Sequence, residues 1–185
     1  ELRIISGYNK GKRIFSPSSY KIRPTYDRGR EMIFNILSSI FGQGGISFSE
    51  LNVLDCFCGT GSLGLESYSR GAKKVIFVDK NQESLNLTNK NILNLHVKSF
   101  CIEKIDLTQK FKKVKNIDLF FLDPPYGRNI LNVSFKNLIE SDWLNDKSYG
   151  VIESSLKEYF FLPDGWKILQ QKTIRESVFY FLKTI

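Results

Sequence analysis

One stretch limits the fold of this 185-residue chain more than any other. Asn52-Val53-Leu54-Asp55, which reads as a buried strand, leads directly into Cys56-Phe57-Cys58-Gly59-Thr60-Gly61-Ser62-Leu63-Gly64. Glycines there let the backbone turn sharply from a strand into a helix, which ends near Gly71. The same alternation then repeats. Lys74 to Val78 reads as a second strand, ending at Asp79. Asn81 to Leu95 reads as a helix, with Leu85, Thr88, Ile92 and Leu95 on one face. Ser99 to Glu103 is a weaker strand. Ile117 to Leu122 is apolar almost throughout, as a strand covered on both faces should be. A helix follows over 130–140, and Tyr149 to Glu153 is a fifth strand. Repeated strand–helix units predict a doubly wound α/β fold with a mostly parallel sheet. Trp166 to Gln171 and Ser177 to Leu182 read as a terminal hairpin, which would add an antiparallel edge strand.

The beginning of the chain has a different character. Leu2 to Ser6 and Lys12 to Phe15 are short extended runs joined by Gly7-Tyr8-Asn9-Lys10-Gly11, the pattern of a β-hairpin. Pro24 ends a further extended piece, and Asp27 is placed to cap a helix over 28–40, closed by Gly42-Gln43-Gly44-Gly45. Residues 1–30 hold eight basic side chains and two acidic ones, so they carry +6 of the net charge of +8. A basic arm on a nearly neutral body suggests a polyanionic partner. The expected division is therefore a basic arm, 1–26, and a body, 27–185.

Other classes are excluded. With 42% hydrophobic and 25% charged residues, the chain is globular rather than disordered. No apolar run approaches the roughly 20 residues that span a bilayer, and no basic-then-apolar leader opens the sequence. The expectation is a soluble, cytoplasmic protein. Cys56, Cys58 and Cys101 make a poor disulfide framework and, with the single histidine His96, too small a set for a zinc site. They read as free thiols in a reducing compartment, with no metal expected.

The glycine loop alone would fit several ligands. Two acids narrow the choice. Asp55 ends the strand just before the glycines, where it would repel a pyrophosphate but attract the ammonium of a methionine moiety. Asp79 ends the next strand, where a carboxylate can accept both ribose hydroxyls of an adenosine. No Gly-x-x-x-x-Gly-Lys-Ser/Thr sequence is present, so this is not a P-loop. S-adenosylmethionine carries no phosphate and tolerates both acids. Asp106, after the third strand, would lie beside the adenine and accept from its amino group.

Asp123-Pro124-Pro125-Tyr126 follows the fourth strand, at the end where open α/β sheets bind ligands. An exocyclic amine is a poor nucleophile because its lone pair is delocalised into the ring. The Asp123 carboxylate and the Pro124 carbonyl can hold its two hydrogens and aim the lone pair at a methylsulfonium. Asp123 then stabilises the positive charge that develops on nitrogen, and Tyr126 offers a face on which a base can stack.

These residues resemble the small bacterial 16S rRNA guanine-N2 methyltransferases that modify guanine 966. The likeness is carried by Arg3-Ile4-Ile5-Ser6-Gly7 with Gly11-Lys12-Arg13, by Arg23-Pro24-Thr25 with Asp27-Arg28 and Arg30-Glu31, by Leu54 through Glu66, by Asp123-Pro124-Pro125-Tyr126 and by Glu153. Cys58 departs from the family, which more often has a smaller residue there, and Lys172 to Phe181 matches more loosely. The resemblance implies a Rossmann-like class I methyltransferase fold with seven strands, the C-terminal one antiparallel. It implies cofactor contacts from Asp55, Phe57, Gly59, Thr60, Gly61, Asp79, Lys80 and Asp106, leaving S-adenosylhomocysteine as product. It implies RNA contacts from Arg3, Lys10, Lys12, Arg13, Arg23, Thr25, Arg28 and Arg30, and action as a monomer on rRNA within the small subunit or an assembly intermediate. The site chemistry by itself also fits a DNA adenine-N6 methyltransferase or a protein-glutamine methyltransferase. A catalytically silent RNA-binding module is the alternative outside enzymology.

Overall fold

A computed structural model describes residues 1–17, 25–111 and 115–185, apart from the side chains of residues 25 and 26. Arg23 and Pro24 of the expected extended piece lie outside the described residues.

Helix α1, Thr25–Gly44, exceeds the expected 28–40 at both ends. Asp27 sits in its first turn rather than capping it, and there accepts from Arg30 at 3.0 Å. The helix runs through Gly42 and Gly44 although each glycine costs about 1 kcal/mol relative to alanine. Buried Leu37 and Phe41 hold those last turns against the core. Gly45, at φ +65°, then ends it, with Ile46 N–H donating to the Phe41 carbonyl and Gly45 N–H to that of Gly42.

The alternating part follows in the expected order: β1 Asn52–Cys56, α2 Ser62–Ser69, β2 Lys74–Asp79, α3 Gln82–Asn94, β3 Phe100–Lys104, β4 Ile117–Leu122, α4 Ile130–Glu140 and β5 Leu144–Ser155, the last starting five residues before the expected Tyr149. Asn81 caps α3 by accepting from Glu83 N–H at 2.8 Å. The chain closes with β6 Trp166–Ile174 and β7 Ser177–Thr184. The seven strands lie in the order β3-β2-β1-β4-β5-β7-β6, with β1 to β5 parallel.

The terminal hairpin forms as expected: its C-terminal strand β7 lies antiparallel between β5 and β6, and β6 is the antiparallel edge strand. Burial gives the reason. Val178, Phe179, Phe181 and Leu182 of β7 are covered on both faces, whereas β6 from Lys167 to Thr173 is exposed. The apolar strand takes the interior, and a polar, lysine-bearing strand takes the edge, where it discourages further pairing.

Alternation along the strands builds two cores. Val53, Phe77, Leu119 and Phe121 face α1, α2 and α3; Leu54, Val78, Phe120 and Leu122 face α4, Trp143 and Trp166. The N-terminal hairpin belongs to the first core. Only Arg3 and Arg13 form a ladder bridge, but Leu2, Ile4 and Ile14 are buried with Ile33, Phe34 and Leu37. Each such side chain contributes roughly 1.5–3 kcal/mol. Residues 1–17 are thus docked on the body, and position 26 falls inside α1.

Glu66 of α2, with no exposed surface, fastens that docking. Its Oε2 accepts from Ile5 N–H at 2.9 Å, and its Oε1 from Ser6 N–H at 3.0 Å and Arg70 Nε at 3.0 Å. Arg30 Nη1 lies 3.9 Å from Oε2. Glutamine at 66 would turn an amine toward these donors. Glu66→Gln is expected to lower stability by about 3 kcal/mol in urea unfolding, with faster amide exchange at Ile5 and Ser6. An unchanged midpoint would remove the carboxylate from this role.

Candidate active site

Parallel register sets the site's layout. Cys56 pairs with both Val78 and Leu122, so Asp79, Phe57 and Asp123 leave three neighbouring strands at one level. Strands lie about 4.8 Å apart, which puts the Asp79 and Asp123 backbones roughly 10 Å apart across the glycine loop. The crevice between β1 and β4, where strand order reverses, is where such sheets bind ligands.

The loop after β1 is held from several sides. Gly61 has φ +78°, and a Cβ there would come within 2.9 Å of Thr88 Cγ2. A Cβ on Gly64 would lie 2.5 Å from the Phe77 ring. Thr88 Oγ1 donates to the Gly59 carbonyl at 2.9 Å, and Asn91 Nδ2 to that of Thr60 at 2.9 Å. Neither residue entered the expected site. The readable signal was two polar side chains on the otherwise apolar face of α3.

The acids lie where expected, but their bonding adds detail. Asp55 is buried, and its Oδ2 accepts from Gly64 N–H at 2.9 Å. Burial pushes its carboxyl up to about 7, the Gly64 bond opposes this, and the Asp79 charge adds to it. The two oxygens of Asp79 accept from Gly59 N–H at 3.1 Å and Asn81 N–H at 2.9 Å, so this residue shapes the loop. Each oxygen keeps a second lone pair for another donor. Asp106 lies two residues past the end of β3, and its Oδ1 accepts from both the hydroxyl and the N–H of Thr108. Those bonds hold its carboxyl below the usual range. Lys80 is exposed and Phe57 half-buried. Cys56 and Cys58 are buried free thiols, pushed up by burial. Among the described residues, no three His, Cys, Asp or Glu side chains are grouped to hold a metal.

The loop after β4 begins with half-buried Asp123 and buried Pro124 and ends with exposed Pro125 and Tyr126. The Tyr126 hydroxyl lies 2.9 Å from Ser177 Oγ and donates to Glu153 at 3.4 Å. Gly127 N–H donates to Glu158. Asn132 fixes the segment beyond Glu158 by donating to the Tyr159 carbonyl at 2.8 Å and accepting from Phe161 N–H at 2.9 Å. The terminal strand pair and the segment after β5 thus brace this loop. Ser177 and Glu158 are far from it in sequence, Asn132 acts on residues far from itself, and none carries a motif that would have found it.

Of the expected basic contacts, Arg3, Lys10, Lys12, Arg13 and Arg28 are exposed. Arg3 and Arg13 pair with Glu1, and Arg13 and Lys90 both lie over the Phe15 ring. Asn91 joins the hairpin to the glycine loop by bonding both Phe15 and Thr60. Arg23 lies outside the described residues, and Thr25 begins α1. Arg30 must be corrected. It is 4% exposed, and its guanidinium donates to the Arg3 carbonyl and Asp27 and approaches Glu66. It ties the hairpin to α1 and is out of reach of an external polyanion.

The family model described as "Conserved hypothetical protein 95" matches residues 2–183. A relative from Haemophilus influenzae named "Ribosomal RNA small subunit methyltransferase D" is 33% identical over 178 residues, covering 94% of this chain and 89% of that protein. Its namesake from Escherichia coli (strain K12) is 29% identical, covering 93% and 84%. The solved structure of a "Putative methyltransferase yhhF from Escherichia coli" superposes with a TM-score of 0.86 at 26% identity, covering 99% and 97%. The architecture is the Rossmann-like class I methyltransferase fold.

The raised carboxyl of Asp55 yields a pH-dependent expectation. The folded protein holds this proton up to about pH 7, whereas the unfolded chain loses it near 3.8. Stability therefore falls as pH rises through that window. Asp55→Asn keeps an acceptor for Gly64 without the charge. It is expected to be more stable than the parent at pH 8, by about 4 kcal/mol at most, with the difference vanishing near pH 4. A pH-independent difference in thermal unfolding would contradict this origin.

Proposed function

The chain belongs to the family described as Conserved hypothetical protein 95, and from that premise we propose that it transfers a methyl group from S-adenosylmethionine to the exocyclic N2 of a guanine in small-subunit 16S rRNA. Full-length similarity to relatives named rRNA small subunit methyltransferase D supports the rRNA methyltransferase class. The observation that carries the reaction type is the Asp123–Tyr126 loop beside the acid-flanked glycine loop at the β1–β4 crevice.

The donor set suits this ligand. Buried Asp55 and half-buried Asp79, beside the glycine loop, would favour a cationic, phosphate-free molecule over a dinucleotide. S-adenosylmethionine would supply a methyl group on a sulfonium. Asp55 would attract its ammonium, directly or through water, Asp79 would accept from the ribose, and Asp106 from the adenine amine. Phe57, Gly59, Thr60, Gly61 and Lys80 complete the proposed cofactor wall. Asp123 and the Pro124 carbonyl would hold the hydrogens of the guanine amine. As nitrogen becomes positive, the Asp123 carboxylate stabilises it. Holding donor and acceptor in line removes much of the remaining entropic barrier. Tyr126, braced by Ser177 and Glu153, would present its face to the base. Arg3, Lys10, Lys12, Arg13, Arg23, Thr25 and Arg28 would contact the RNA backbone.

The test is transfer of tritium from labelled cofactor onto small-subunit particles, naked rRNA and DNA, followed by nucleoside analysis. Labelled N2-methylguanosine is expected, and N6-methyladenine would overturn the base assignment. Asp123→Ala should bind the cofactor as the parent does, yet lose at least about 100-fold in methyl transfer. Near-parental turnover would refute the role of Asp123.

A further inference from the structure

A second feature lies at the opposite end of α2 from the glycine loop. The hairpin turn is pinned there. Tyr8 N–H donates to the Ser69 carbonyl at 2.8 Å, Asn9 N–H to Ser69 Oγ at 2.9 Å, and Ser69 Oγ to the Ser6 carbonyl at 2.6 Å. Gly7, at φ +86°, allows the approach, since a Cβ there would overlap the Ser69 carbonyl. On this rigid turn Tyr8 is 88% exposed, so its ring face is open to solvent.

Tyr8 borders an open cleft of about 440 Å³, whose wall includes Lys12, Tyr68, Lys73, His96 and Ser99. That volume lies within the range of small-ligand sites, about 300–1,000 Å³. Among the described residues, two lysines line the cleft and no carboxylate does. His96, the only histidine of the chain, ends α3 at φ +56°. Val97 N–H there donates to the Ile92 carbonyl and His96 N–H to that of Leu93. Glycine or asparagine usually takes this left-handed position, so a histidine keeps an imidazole at the cleft at some cost to the backbone.

We propose that this cleft binds one unpaired nucleotide of the substrate rRNA, with the base stacked on Tyr8 beside His96 and its phosphate against Lys12 and Lys73. This rests on the RNA reading above. A fixed aromatic with cations and no acid is the pattern of single-strand recognition. Exposed Lys10, Lys12 and Arg13 continue the positive charge along the hairpin. Helix α2 has eight residues and is therefore about 12 Å long, so the cleft stands well apart from the Asp123 loop. RNA held at both points would be fixed in register, with the target base presented at one and a neighbouring nucleotide anchored at the other.

The test compares the parent, Tyr8→Ala, Tyr8→Phe and His96→Gly for affinity to a small-subunit rRNA transcript and to S-adenosylhomocysteine. Tyr8→Ala should weaken RNA binding by about 10-fold, and Tyr8→Phe should restore it. His96→Gly separates binding from folding: glycine suits the φ, so the melting temperature should hold or rise while RNA affinity falls several-fold. Affinity for S-adenosylhomocysteine should not change. Lys73→Ala should reduce the salt slope of RNA binding by about one unit. If the parent methylates the transcript and both Tyr8→Ala and His96→Gly bind it as the parent does, the cleft is not an RNA site and the proposed function stands. If the variants weaken binding to assembled particles but not to naked transcript, a protein contact occupies the cleft and the proposal fails. If the parent neither binds nor methylates RNA, the functional reading itself falls.

Discussion

Helix α2 can lie against β2 only because Gly64 has no side chain. A Cβ at that position would come within 2.5 Å of Phe77 and 2.8 Å of Val75. The same residue's N–H is held by Asp55, so one backbone position sets both the helix and the acid before the glycine loop. Much else follows from where α2 rests. Its middle presents Glu66 to the amides of Ile5 and Ser6, and its end presents Ser69 to Tyr8 and Asn9. The basic hairpin is therefore laid along a helix whose seat is fixed by a glycine in its own first turn.

Charge is divided along the same lines. Acids gather at the carboxyl ends of the parallel strands, and exposed cations lie on the hairpin and the start of α1. Asp55 illustrates what burial does to such a group. Desolvation pushes its carboxyl up to about 7, and a positive charge placed beside it would favour the ionised form. Asp79 spends part of its bonding capacity on Gly59 and Asn81 and so shapes the loop as well as lining it. Arg30 shows the reverse case. It sits among basic neighbours in sequence, yet its helical position turns it inward toward Glu66 and the Arg3 carbonyl.

Most of the fold was legible because period and punctuation are local. The apolar run of β4, the glycine turn after β1 and the helical spacing of Leu85, Thr88 and Ile92 in α3 each depend on nearby residues, and the elements stand where those residues put them. The departures arose where distant packing overrode local preference. Helix α1 continues through two glycines because Leu37 and Phe41 anchor it, and β5 starts early, at Leu144, where it pairs with Ile117 of β4. Ser177, Glu158, Asn132 and Asn91 escaped notice for a related reason. Each acts on a loop far away in sequence, and only Asn91 stood out, as a polar residue on an apolar face.

The sequence by itself determined the strand–helix order, the chemistry at the strand ends and the surplus of positive charge near the start. Those properties follow from residue type and spacing. Tertiary structure alone decided that residues 1–17 are docked rather than free, that Arg30 is buried, and that Tyr126 is braced by Ser177. It also decided that Tyr8 and His96 border one cleft. Each of these joins residues tens of positions apart, and only the register of the sheet and the seating of the helices bring them together.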